Sequence, residues 1–220
     1  MGEADWDRAR WLWWLALLGG ISFFAAVFQR LDGPAIWAWK TSGVGLLAVW
    51  AAANAREKNG WLIAAVLGFG ALGDYLLDAN GLIAGAAAFA VGHVIAIALY
   101  LINRRAQMTP SQRLLGWLTM PATLAIVWGM LGPQPGWWHA AVYSLFVAAM
   151  AAAAWTSRFS RYRTGIGAMM FLASDLFIFA GEGGVLGKDV TIWLVWPFYF
   201  GGQALIARGV VSTLAKEAEV

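Results

Sequence analysis

Eight long apolar runs dominate this sequence, and short segments that carry charges, glycine or proline separate them. A helix needs about 20 mostly apolar residues to cross a bilayer, so each run is a candidate membrane span. The runs cover roughly residues 12–28, 35–53, 61–79, 83–102, 114–131, 137–156, 165–181 and 190–210. The sequence therefore predicts an all-α, polytopic membrane protein, with a single bundle of eight transmembrane helices in one domain over residues 1–220.

The composition argues against most other classes of protein. Hydrophobic residues make up 61% of the 220 residues and charged residues 12%, which is more apolar surface than a soluble domain can bury. The same balance excludes disorder, coiled coils and nucleic-acid binding. The runs do not alternate as the strands of a membrane barrel would. There is no Cys and there are two His, so we expect no metal and no other cofactor, although composition alone leaves a mixed Asp and His site open.

Lysine and arginine fall mainly on one side of the expected bundle. The minor side has only Arg30 and Lys188. The major side holds Arg8, Arg10, Arg56, Lys58, Arg104, Arg105, Arg113, Arg158, Arg161, Arg163, Arg208 and Lys216. The positive-inside rule makes the major side cytoplasmic, so both termini are predicted in the cytoplasm of a multi-pass, bacterial inner-membrane protein. The first run has no small-residue cleavage site, and we interpret it as a retained helix rather than a signal peptide.

Few ionisable side chains interrupt the spans. They are Lys40, Asp74, Asp78, His93 and Asp175, with His139 and Glu182 near span ends. A carboxyl at the bilayer centre costs about 2.5–3.5 kcal/mol on insertion scales, so an intramembrane aspartate is a functional-site hypothesis. At about 1.5 Å per residue, Asp74 and Asp175 lie roughly 8–9 Å from the outer ends of their spans. With Lys40, His93 and Tyr199 they predict one internal site in the outer half of the bilayer.

Each of these side chains also has a structural interpretation. Lys40 can extend outward to the interface or pair with an aspartate. Asp78 follows Asp74 by one helical turn and is close to the outer interface, where a carboxylate costs little. His93 follows Gly92, which would let another helix approach, and so can be a packing residue. Hydrogen bonding between helices would equally explain Tyr143, Tyr199 and Gln203.

Two carboxyls in an apolar pocket suggest acid–base chemistry, because one can stay protonated while the other is ionised. Acid-catalysed cleavage of an acetal-like bond needs an acid to make a cation and an anion to stabilise it and activate water. A serine hydrolase is disfavoured, because there is no G-x-S-x-G elbow and Ser174 is expected to point away from its neighbour Asp175. A proton-coupled transporter that uses the same carboxylates and a purely structural bundle are the alternatives.

Several short motifs occur in a fixed order. They are Gly73-Asp74, Phe89-x-x-Gly92-His93, Tyr143-Ser144, Gly167-Ala168 followed by Phe171 and Ser174-Asp175, and Tyr199-x-x-x-Gln203. This order resembles the YhhN-like lysoplasmalogenase family of eight-helix membrane proteins. The resemblance runs from about Lys40 to Gln203, and Thr41 stands where we expect proline from the family pattern.

The resemblance implies a reaction and a set of site residues. The reaction is hydrolysis of the vinyl ether bond of a lysoplasmalogen to a fatty aldehyde and glycerophospho-ethanolamine or glycerophospho-choline. Asp74 and Asp175 would be the catalytic pair, and Lys40 would meet the lipid phosphate. The pocket would be lined by Asp78, His93, Tyr143, Tyr199 and Gln203. The partners implied are a lysophospholipid that enters from the bilayer and water; another lysolipid is an alternative substrate, and the sequence does not determine the oligomeric state.

Overall fold

A computed structural model describes residues 7–132 and 134–218. Within these residues the chain forms eight long helices and no extended strand, so the all-α prediction is confirmed. The helices are α1 (Arg10–Gln29, interrupted at Phe23), α2 (Pro34–Ala53), α3 (Lys58–Asn80), α4 (Leu82–Ile102), α5 (Pro110–Leu131), α6 (Trp137–Thr156), α7 (Arg161–Glu182) and α8 (Lys188–Glu217).

The chain is a multi-pass membrane protein. Seven helices in the described part of the chain are long and apolar enough to cross a bilayer. The exception is α2, which contains the polar run Lys40, Thr41 and Ser42. Large apolar side chains such as Trp11 on α1 and Trp117 on α5 are exposed, as lipid-facing residues would be. Helices suit this setting because each satisfies its own backbone hydrogen bonds.

The helices fall into two compact units. The first unit comprises residues 7–99 and 207–218, and the second comprises Tyr100–Ile206. Helices α4 and α8 each contribute residues to both units. The single domain therefore stays a prediction, as does the cytoplasmic location of the termini, since residues 1–6 and 219–220 lie outside the described residues.

Short connections make consecutive helices of the first unit into antiparallel neighbours, as the loop lengths predict. Gly81, with a φ of 89°, forms the whole link between α3 and α4. Farther along α4, Gly92 approaches α3 closely: a Cβ at this position would lie 3.4 Å from the carbonyl oxygen of Val66. Small residues at such crossings let two backbones approach without a side chain between them.

A buried carboxylate joins two segments of the first unit that are far apart in the sequence. Asp7 accepts a hydrogen bond from the indole of Trp50 at 2.8 Å and forms an ion pair with Arg208 at 3.0 Å. The guanidinium of Arg208 also lies over the rings of Trp13 and Trp50, 5.4 and 5.8 Å from their centroids. Asp7 is buried, and such a charge is tolerated only when it is paired and hydrogen-bonded.

Helices α7 and α8 cross closely within the second unit. A Cβ on Gly167 would lie 2.6 Å from the carbonyl oxygen of Gly202 and 2.9 Å from the Cβ of Leu205. Two edge-to-face ring pairs continue the contact, Phe171 with Tyr199 and Phe177 with Phe198. These contacts fix which face of α8 is turned toward α7.

Two helix boundaries differ from the sequence prediction. Helix α7 begins with a π-helical turn, Arg161–Gly165. Helix α8 continues to Glu217, beyond the end of the apolar run at residue 210. Its last turns contain Ala, Leu, Lys and Glu, which favour helix without being apolar throughout. Hydrophobicity predicts the membrane-spanning part of a helix, whereas helix propensity determines how far the helix continues beyond the apolar run.

We expect Gly167→Ala to destabilise the second unit, because the added methyl overlaps the backbone of α8. Overpacking of this kind costs about 1–3 kcal/mol. Gly129→Ala is the matched control, since a Cβ at Gly129 meets nothing within 4 Å. Thermal unfolding of both variants in the same detergent measures the difference. Equal midpoints for the two variants would contradict the close crossing.

Candidate active site

An ion pair links α2 and α3 at one end of the first unit. The ammonium of Lys40, in the second turn of α2, lies 2.9 Å from both carboxylate oxygens of Asp78, in the last turn of α3. The two side chains are 15% and 26% exposed, so both are mostly buried but reach the protein surface. The pairing of Lys40 with an aspartate, one of the two structural interpretations of Lys40, is therefore present.

Asp74 lies one helical turn before Asp78 on α3 and is 2% exposed. Its neighbour Gly73 leaves space for the ring of Phe89 from α4, because a Cβ at Gly73 would lie 2.7 Å from that ring. His93, one turn farther along α4, is also buried. Besides Asp7, the first unit therefore contains a second deeply buried carboxyl, Asp74, with the ion pair of Lys40 and Asp78 one turn away along α3.

The carboxyl of Asp175 is buried in α7 and is bonded by α6. The hydroxyl of Tyr143 donates to Oδ2 of Asp175 at 2.9 Å. The hydroxyl of Ser174 lies 3.4 Å from Oδ1 and donates to the carbonyl oxygen of Phe171 at 2.7 Å. The expectation that Ser174 points away from Asp175 is wrong, because rotation about its Cα–Cβ bond brings the hydroxyl back along the helix.

Tyr199 and Gln203 share a face of α8, as their spacing predicts. The ring of Tyr199 packs on Phe171 with centroids 5.1 Å apart. Gln203 is 2% exposed, and its carbonyl oxygen Oε1 is buried without a hydrogen-bond partner among the described residues. A buried acceptor without a donor carries a cost, and a water or a ligand hydroxyl would relieve it.

The candidate residues divide between the two units. Lys40, Asp74, Asp78 and His93 belong to the first unit, and Tyr143, Asp175, Tyr199 and Gln203 to the second. The pairing of Asp74 with Asp175 thus stays a prediction. Across residues 7–132 and 134–218, no three His, Asp or Glu side chains form a group that could hold a metal ion.

Two ionisable residues near helix ends have local partners. His139 is exposed, and its ring stacks on Trp138 with centroids 3.6 Å apart. Glu182 pairs with Lys188 at 3.3 Å, and both side chains are largely exposed. Glu182 is therefore at a solvated helix end, which agrees with its predicted position near the end of a span.

Comparison with known proteins identifies relatives over most of the chain. The model of the YhhN family matches residues 35–210, a range that includes every motif residue described above. Lysoplasmalogenases of Mycobacterium bovis and Mycobacterium tuberculosis are each 31% identical to this chain over 183 residues. In both cases the match covers 78% of this chain and 69% of the relative. No solved structure matches this chain.

We expect the energetic coupling between Lys40 and Asp78 to exceed that of an exposed ion pair, because both side chains are mostly buried. A double-mutant cycle with Lys40→Met, Asp78→Asn and the double variant should give more than about 1 kcal/mol, the upper end for exposed pairs. The measurement is unfolding in detergent. The exposed pair Glu182 and Lys188 is the control, and its coupling should be smaller. A coupling between Lys40 and Asp78 no larger than that of the control would contradict this expectation.

Proposed function

Because the chain belongs to the YhhN family, we propose that it is a membrane-embedded hydrolase that cleaves the vinyl ether bond of a lysoplasmalogen. The two mycobacterial relatives are named lysoplasmalogenases, which supports an ether-bond hydrolase activity for this chain. The products are a fatty aldehyde and glycerophospho-ethanolamine or glycerophospho-choline. The expected location is a bacterial inner membrane, since the relatives are bacterial and the arginines and lysines are distributed asymmetrically.

The reaction consumes one water and needs an acid and a base. A proton adds to the vinyl carbon distal to oxygen and leaves an oxocarbenium ion. Water attacks this cation and loses a proton, which gives a hemiacetal. The hemiacetal then collapses to the aldehyde and the glycerol alcohol. Positioned carboxyl groups perform proton transfers of this kind, and a nearby carboxylate stabilises the cation.

One observation carries the assignment of roles: Tyr143 donates its hydroxyl proton to the carboxyl of Asp175. An ionised carboxylate is purely an acceptor, so a donor at 2.9 Å suits Asp175 as the anion. Asp175 would stabilise the oxocarbenium ion and accept the proton from water. Asp74, buried in an apolar helix, would then be the acid that protonates the vinyl carbon. The pair would return to its starting protonation state when the hemiacetal collapses.

The other polar residues would bind substrate or water. Gln203 presents an acceptor without a partner, Oε1, that a water molecule could donate to. Tyr199 and His93 would line the pocket. The lysolipid has one hydrocarbon chain, which would lie among apolar helix faces, so it would enter from the bilayer rather than from water.

We expect purified protein to release fatty aldehyde from a vinyl ether lysolipid, and Asp74→Asn or Asp175→Asn to slow release by roughly 10²-fold or more. Asparagine keeps the size of the side chain and removes the transferable proton or the charge. The double variant should be little worse than the slower single variant, because residues that act as a unit are not additive. Asp189→Asn, which alters an exposed aspartate at the start of α8, is the control.

Two outcomes would contradict this proposal. Wild-type turnover in a folded Asp175→Asn protein would exclude the two-aspartate mechanism. Hydrolysis of an ester lysolipid, without aldehyde release from the vinyl ether lysolipid, would identify a hydrolase of another lysolipid.

Tyr143→Phe should lower kcat about tenfold and change KM little. The variant keeps the ring contact with Phe179 but removes the hydroxyl that donates to Asp175. A hydrogen bond to a charged group is worth about 1.5–3 kcal/mol, and roughly 1.4 kcal/mol corresponds to a tenfold change in rate. Tyr162→Phe is the control, because Tyr162 is exposed. An unchanged kcat in Tyr143→Phe would remove Tyr143 from the proposed mechanism.

A further inference from the structure

We propose that Lys40 and Asp78 together recognise a zwitterionic lysolipid headgroup, with Lys40 binding the phosphate and Asp78 binding the ammonium. The proposal rests on the proposed function, because it takes the substrate to be a lysophospholipid. It assigns to Asp78 the discrimination between lipid headgroups, a role beyond lining the pocket. The protein would then favour ethanolamine and choline headgroups over the anionic phosphoglycerol headgroup.

The charges of the pair match those of the ligand. Lys40 and Asp78 present one positive and one negative group 2.9 Å apart, and a phosphoethanolamine presents one of each sign on adjacent groups. Exchange of partners would pair Lys40 with the phosphate and Asp78 with the ammonium, so no charge is left alone. An anionic headgroup without an amine would satisfy Lys40 and leave the carboxylate of Asp78 unpaired beside a phosphate.

The pair lies at the protein surface, which lets a headgroup reach it. A mostly buried ion pair is costly to break when one charge is left alone, but an exchange of partners leaves both charges paired. The side chains of Lys40 and Asp78 are 15% and 26% exposed, and they lie in the second turn of α2 and the last turn of α3. A headgroup at the membrane interface could therefore reach both of them.

Two aromatic rings join the same stretches of α2 and α3. Trp37 precedes Lys40 by three residues, Tyr75 precedes Asp78 by three, and their rings meet edge to face with centroids 6.4 Å apart. The exposed carboxylate of Asp32 accepts a hydrogen bond from the Trp37 indole at 2.6 Å, and this donor lowers the pKa of Asp32. Aromatic faces attract ammonium groups, including quaternary ones, so choline as well as ethanolamine fits this position.

The spacing along α3 agrees with the length of the substrate. Asp74 and Asp78 are one turn apart, which is about 6 Å at 1.5 Å per residue. Five bonds separate the phosphorus of a lysoplasmalogen from its ether oxygen, which is roughly 6 Å for bonds of about 1.5 Å in an extended chain. A phosphate held by Lys40 beside Asp78 would thus bring the vinyl ether to the depth of Asp74.

The test measures binding of non-cleavable 1-O-alkyl lysolipids to the full-length protein in detergent by titration calorimetry. The wild type should bind the phosphoethanolamine lipid about tenfold more tightly than the phosphoglycerol lipid, the scale of one charge-assisted contact. Asp78→Asn should abolish this preference. Lys40→Met should weaken binding of both lipids, and Asp189→Asn, a control away from this pair in sequence, should change neither.

Equal binding of the two lipids by the wild type would overturn the proposal without any variant. A preference that persists in folded Asp78→Asn would also overturn it and leave the pair as a structural tie. Should Asp78→Asn not fold, Asp78→Glu keeps the charge and must keep the preference. These lipids are not cleaved, so failure of the headgroup proposal is distinct from failure of vinyl ether hydrolysis.

Discussion

Burial of polar groups in an apolar environment is the constraint on which this structure depends. A backbone amide or carbonyl without a partner in the bilayer costs several kcal/mol, so the chain spans as helices joined by short links such as Gly81. The same cost applies to side chains. Lys40 and Asp78 are bonded to each other, and the carboxyl of Asp175 is bonded to Tyr143. Some buried side chains depart from this pattern, because each has a polar atom without a hydrogen-bond partner among the described residues: Thr41, Tyr100, Trp155, Thr164 and Gln203. At Gln203, a water or a ligand hydroxyl would supply the donor that its carbonyl oxygen lacks.

Glycine provides the second condition for the candidate site. In lipid there is no hydrophobic driving force for helices to associate, so close packing must hold them together. Gly73 admits the ring of Phe89 beside Asp74, and Gly167 brings α7 against the backbone of α8. Each of these glycines lies next to a residue that chemistry needs, or on the same helix as one. The positions of the carboxyls therefore depend on these glycines, which have no side chain, as well as on the residues that contact the carboxyls.

The sequence predicts the helices and the buried carboxyls, but it does not predict side-chain contacts that depend on a rotamer. Apolar runs predict the eight helices because hydrophobic thickness fixes their length. The burial of Asp74 and Asp175 follows from the same runs. The partner of Lys40 could not be deduced, because Asp74 and Asp78 share a face and the rotamer decides between them. The contact of Ser174 with Asp175 was missed for a similar reason: helical spacing describes Cβ directions, whereas a hydroxyl rotates. The π-helical turn at Arg161–Gly165 has no simple signature in the order of residues.

The bond between Asp7 and Arg208 has a consequence for how the protein is made. These residues are 201 positions apart, yet they belong to the same unit. The second unit, Tyr100–Ile206, lies between them in the sequence, so the ribosome makes all of it after Asp7 and before Arg208. The carboxylate of Asp7 therefore gains its ion-pair partner only after the second unit has been synthesised. The first unit thus cannot reach its final arrangement while the chain is still being extended through the second.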